Sequence, residues 1–105
     1  MPNIKFNYLY RDSANYKKYG FVIFINPDNT ELEDVETLVR SKLIYTEWFY
    51  ADEWGLPELF FECIDFRVEP TWHEFESLEY TDDPPSQSTS ITQFKQLIEK
   101  ANWQQ

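Results

Sequence analysis

Seven side chains able to do acid–base or metal chemistry fall in one stretch of the sequence: Asp52, Glu53, Glu62, Asp65, His73, Glu74 and Glu76. Carboxylates joined by an imidazole supply the oxygen and nitrogen donors that suit divalent cations, and they are also the usual parts of a general acid–base pair. On these grounds His73, Glu74 and Glu62 are the candidate catalytic residues. The spacing does not support them. Neither H-E-x-x-H nor D-x-D-x-D-G occurs, and acids in a chain this acidic ordinarily form a solvated face. No metal site and no cofactor is expected.

Cys63 is the only cysteine, so an intramolecular disulfide or a multi-cysteine zinc site is ruled out. Cys63 with His73 would still need carboxylates to complete a zinc shell. Ser77 follows His73 by four residues, but without the G-x-S-x-G elbow of a serine nucleophile. Gly20 and Gly55 are isolated, so no phosphate-cradling loop can be built.

The 105 residues amount to one domain, spanning 1–105. The formal net charge is −10, which disfavours both nucleic acid and anionic membrane surfaces as partners. The charge is segregated. Residues 47–83 hold twelve acids and a single base, Arg67, whereas the rest of the chain holds seven acids and eight bases. The opening residues are basic, with Lys5, Arg11, Lys17 and Lys18 against Asp12. There is no basic-then-apolar leader and no bilayer-length apolar run, so the expected compartment is the cytoplasm, with Cys63 reduced.

Aromatic residues are abundant: nine Phe, seven Tyr and four Trp. Phe6, Phe21, Phe24, Phe60 or Phe61, Phe75 and Phe94 suffice to fill a small interior. Tyr and Trp are amphipathic and favoured at protein interfaces. Trp48, Tyr50 and Trp54 lie in the acidic half beside Asp52 and Glu53, and these five form the candidate partner-binding set.

The elements that must position these residues follow from periodicity and punctuation. Ile4–Tyr10 alternates like a strand, and Phe21–Ile25 is a continuous apolar run of the kind expected for an inner strand. The two make a hairpin with a long polar loop. Asn26-Pro27-Asp28-Asn29 is a turn, and Thr30 with Glu33 fits a capping box opening a helix with Leu32, Val35, Leu38, Val39 and Leu43 on one face. Tyr45–Ala51 and Leu59–Ile64 read as strands. Trp72–Tyr80 has three-residue spacing and a Thr71–Glu74 capping box that suit a helix, but the need for a hairpin partner favours a strand. Residues 81–90, with Pro84-Pro85, read as an extended linker. It leads to a helix over 91–103, started by a Ser90–Gln93 capping box and carrying Ile91, Phe94, Leu97, Ile98 and Ala101 on one stripe. The expected fold is α+β: an antiparallel sheet of about five strands with two helices on one face, in the order β-β-α-β-β-β-α.

Three segments, Tyr8-Leu9-Tyr10-Arg11-Asp12, Phe49-Tyr50-Ala51-Asp52-Glu53-Trp54-Gly55-Leu56-Pro57 and Trp72-His73-Glu74-Phe75-Glu76-Ser77, resemble segments of a group of small acidic bacterial cytosolic proteins with no assigned function. The resemblance covers roughly residues 1–85. It implies a bacterial cytosolic origin and carries over no catalytic residue.

The function expected from these features is non-enzymatic. The acidic, aromatic face within 47–83 engages a basic protein surface, as small acidic immunity proteins and antitoxins engage nucleases. The alternatives are a small carboxylate/His metal-dependent enzyme or ligand-binding protein, and a homo-oligomeric domain. A homodimer would pair the basic N-terminal region with the acidic half, or join sheet edges.

Overall fold

The computed structural model describes residues 2–61 and 67–100. Two strands, β1 (Asn3–Arg11) and β2 (Lys17–Phe24), pair antiparallel as the expected hairpin, with Ile4 opposite Phe24 and Arg11 opposite Lys17. Asp12 builds the loop between them: its carboxylate accepts the Ala14 and Tyr16 N–H groups. Helix α1 (Leu32–Lys42) follows, then the two-residue strand β3 (Trp48–Phe49), a single 3-10 turn (Asp52–Trp54), β4 (His73–Thr81) and α2 (Ile91–Lys100). The fold is α+β, with a four-stranded antiparallel sheet in the order β2-β1-β4-β3.

Period-2 alternation separates the two faces of the sheet. Ile4, Phe6 and Tyr8 of β1 are buried in the core with Val22 and Phe24 of β2, and Tyr10 is buried against Phe60 and His73. Phe6 is the hub of this core. Its ring lies 5.3–6.3 Å, centroid to centroid, from those of Tyr8, Phe49, Trp54, Phe75 and Phe94. Such pairs add about 0.5–1.5 kcal/mol each beyond the area they bury. From the helix layer, Val35, Val39, Ile91, Phe94 and Ile98 complete the core. Helix α2 thus docks on its own sheet, with Phe94 stacked on Phe24 at 4.5 Å.

Four expectations need correction. The sheet has four strands and not five. Leu59–Phe61 forms no ladder; instead Leu59 packs against Gly20 and Phe60 against Tyr10 on the helix side of the sheet. The remainder of that expected strand, 62–64, lies outside the described residues. The strand expected over Tyr45–Ala51 shrinks to Trp48–Phe49, because Tyr45 and Thr46 take positive φ (51° and 64°) and fold into a turn closed by reciprocal Ile44–Trp48 bonds.

Second, β2 is an edge strand and not an inner one, and Phe21 is exposed. The run reads as fully covered because residues 86–90 lie along its outer edge. Ile23 N–H donates to Ser86 Oγ (2.8 Å), Ser86 N–H to the Ile23 carbonyl (3.0 Å), and Ile91 N–H to the Ile25 carbonyl (2.8 Å). The segment expected as an extended linker is bent over 86–88 and tied at both ends to an otherwise bare sheet edge.

Third, the Thr30–Glu33 capping box does not form. The carboxamide of Asn26 holds both backbone groups of Thr30, accepting its N–H at 2.8 Å and donating to its carbonyl at 3.1 Å. The helix starts one residue later. Its first N–H, from Leu32, donates to the Tyr80 hydroxyl at 3.2 Å. The second box does form: Gln93 N–H donates to Ser90 Oγ (3.1 Å), and Ser90 N–H donates to Gln93 Oε1 (2.9 Å).

Fourth, Trp54 lies in the core and not on the surface. The 3-10 turn points Asp52 and Glu53 to solvent and Trp54 inward, and Gly55 ends the turn at φ 69°, a conformation that glycine adopts without strain.

Candidate interaction surface

The five described residues of the cluster, Asp52, Glu53, His73, Glu74 and Glu76, do not converge. His73 is fully buried inside a cage of rings: Tyr8, Tyr10, Phe49 and Phe60 lie 5.2–6.1 Å away. Leu59 N–H donates to its Nε2 at 2.9 Å, which places the proton of the neutral imidazole on Nδ1. That Nδ1–H is buried, and among the described residues it meets no acceptor. Burial pushes the imidazole pKa down to about 4, with the Asp52 carboxylate opposing the shift. A base so enclosed meets no solute without opening the cage.

Glu74 sits on the other face of the sheet and is committed to Arg11. The guanidinium spans both of its oxygens, at 2.7 and 3.2 Å. Asp52, Glu53 and Glu76 are exposed. Glu62, Asp65 and Cys63 lie outside the described residues. Among the described residues, no group of three or more His, Cys, Asp or Glu side chains is placed to hold a metal ion.

Of the five expected partner-binding residues, Trp48, Tyr50, Asp52 and Glu53 are at least partly open to solvent. Trp54 is 2% exposed and stacks flat on Phe49, with centroids 4.5 Å apart and planes 17° apart. It contributes to the fold and offers no contact to a partner.

Its place is taken by two residues that the sequence reading did not single out. Trp72 immediately precedes β4, where alternation with the inward His73 turns it outward, and it packs on Trp48 at 5.5 Å. Tyr45, at the tip of the positive-φ turn, meets Trp48 edge-on at 6.1 Å. Tyr45 is 79% and Trp72 38% exposed. Assigning β4 as a strand is the signal that could have found Trp72. Tyr45 had none, since its orientation depends on an unusual backbone turn.

The three rings form a ridge at the β3 edge of the sheet, with Glu47 beside it in sequence and Glu74 opposite Trp48 in the ladder. A shallow depression of about 590 Å³ lies alongside, lined by Tyr50, Asp52, Glu58, Phe60 and Thr71. Another of about 570 Å³ is lined by Ser13, Arg67, Val68, Glu69, Pro70, Thr71 and Trp72. Thr71 lines both, and Trp72 lines the second. Both depressions are wide and open.

Fold and surface together define a small α+β domain with an aromatic ridge among carboxylates. No protein family, curated protein or solved structure matches the chain. No helix among the described residues is long and apolar enough to cross a membrane.

Proposed function

We propose that the protein is a non-enzymatic protein-binding domain whose ridge of Tyr45, Trp48 and Trp72, together with the exposed carboxylates Glu47, Asp52, Glu53 and Glu58 of the same half of the chain, grips a basic protein surface. The observation that carries this reading is the Trp48–Trp72 pair. Two large rings rest on each other outside the core and remain accessible, in the half of the chain where acids outnumber bases twelve to one. Indole faces attract Lys and Arg side chains, and nearby carboxylates strengthen the attraction and steer the approach. An immunity or antitoxin role, in which the basic surface belongs to a nuclease, fits this chemistry.

The test is kinetic. With a partner captured from a native lysate, the association rate falls steeply as salt rises, because exposed charges are screened within about 8 Å at physiological ionic strength. Asp52→Lys with Glu53→Lys slows association, whereas Trp72→Ala speeds dissociation. A partner that is acidic, or one bound equally well by both variants, refutes the proposal.

A further inference from the structure

The outer edge of β2 is closed along one half and open along the other. The bonds from Ile23 to Ser86, and from the Ile25 carbonyl to Ile91, show that the odd-numbered residues of this strand direct their N–H and C=O groups away from the sheet. Tyr19 and Phe21 belong to the same set. They stand opposite Leu9 and Asn7 of β1, and among the described residues nothing bonds their outward backbone groups. Their side chains are 59% and 52% exposed, and neighbouring Tyr16 is exposed as well. Among the described residues, these two therefore present an unpaired strand edge flanked by accessible rings, at the far side of the sheet from the Trp48–Trp72 ridge.

The charge carried by the strand itself is basic, and the nearest acid on the open face is Glu79 of β4, opposite Lys5 and on the far side of β1. Lys17 shares the open face with Tyr19 and Phe21. Lys5 of β1 reaches that face too, with its Nζ 4.3 Å from the centre of the Phe21 ring. Lys18 lies on the opposite face, donating to the Phe60 carbonyl at 3.3 Å. The stretch 17–21 holds no acid. We propose that Lys17–Phe21 is a docking strand for an extended acidic segment of a partner protein, which joins the sheet as a fifth strand beside β2.

Main-chain bonds to Tyr19 and Phe21 supply the pairing, the exposed rings cover its alternate apolar side chains, and Lys5 and Lys17 receive its carboxylates. A second copy of this chain is a poor occupant. Antiparallel pairing of two β2 strands about Tyr19 places each Lys18 diagonally against its counterpart, about 7–8 Å away. Lysines at an edge deter such self-pairing and leave an acidic strand as the complement.

Hydrogen exchange on the isotope-labelled full chain tests this. In the free protein, the Tyr19 and Phe21 amides exchange quickly, while the Gly20 and Val22 amides, which face β1, are protected. The probe is the peptide acetyl-Glu-Ile-Thr-Val-Thr-Glu-amide, compared with its analogue carrying Lys in place of both Glu. The acidic peptide slows exchange at Tyr19 and Phe21 and binds at least about tenfold more tightly than the basic one. Lys17→Glu narrows or reverses that preference. Phe21→Pro removes one outward donor at a position where an edge strand tolerates proline, and it abolishes binding while the other amides of β2 stay protected.

Three results overturn the proposal. One is protection of Tyr19 and Phe21 in the free protein. Another is equal binding of the two peptides. The third is protection that grows with protein concentration alone, which would identify a second copy as the occupant.

Discussion

His73 is the only histidine in the chain, which makes the link between its burial and the stability of the fold directly measurable. In the unfolded chain it titrates near 6.5; in the folded protein burial lowers its pKa to about 4. Between those values the unfolded state takes up a proton that the folded state refuses. Stability is therefore complete above about pH 7 and declines as pH falls through the window from 6.5 to 4. One pK unit corresponds to 1.36 kcal/mol, so the whole window costs roughly 3 kcal/mol, a large fraction of the 5–15 kcal/mol typical of a domain. The structural cause is the ring cage together with the Leu59 N–H, which occupies the Nε2 lone pair that a proton would need. Urea unfolding followed by tryptophan fluorescence at several pH values between 7.5 and 4.5 measures the slope. His73→Gln supplies the control: its side-chain oxygen can take the place of Nε2 as acceptor but does not titrate. The wild type should lose up to about 1.4 kcal/mol per pH unit in the middle of the window, in excess of the variant. Parallel pH profiles for the two proteins, or an imidazole that titrates near 6.5 by proton NMR of the folded chain, would refute this account.

Trp54→Ala should destabilise by about 3–5 kcal/mol, because it leaves a large hole beside Phe49, Phe6 and Phe94. Trp72→Ala should cost about 1 kcal/mol or less, and the contrast in urea midpoints separates core from ridge. Ser90→Ala removes the hydroxyl that caps Gln93 N–H at the start of α2 and should cost about 1 kcal/mol by the same assay. A Ser90→Ala protein as stable as the wild type would show that the bridge from 86–90 to β2 holds the helix start without its cap.

What was legible in the sequence was local. The Ser90–Gln93 box forms because both partners lie within one helical turn and nothing else competes for them. Thr30 and Glu33 carry the same signature, but Asn26 reaches the Thr30 backbone first, through a side-chain clasp that no periodicity reveals. Trp72–Tyr80 carries both strand and helix signals. The strand prevails because β1, buried at the centre of the sheet, needs a partner along its second edge. Non-local coverage was not legible. Phe21–Ile25 has the composition of an inner strand because a segment more than sixty residues later shields half of its edge. The acidic neighbours of Trp54 suggested a surface position, and a three-residue turn reverses that expectation. Trp48, Tyr50, Asp52 and Glu53 were read from composition alone. Trp72 joins them only through the pleat of β4.

The central pairing of β1 with β4 joins residues more than sixty positions apart, with Asn3 opposite Thr81 and Leu9 opposite Glu74. On the ribosome this sets a delay. The β1–β2 hairpin can close within about 1–10 μs once both strands emerge, but at roughly 5–20 residues per second β4 appears several seconds later. Throughout that interval the strand destined for the centre of the sheet has one complete edge of backbone donors and acceptors without a mate, and its aromatic face lacks the cover of α2. Completion of the sheet is thereby deferred until β4 has been made. The nascent polypeptide is most vulnerable to mispairing with its neighbours just before β4 arrives.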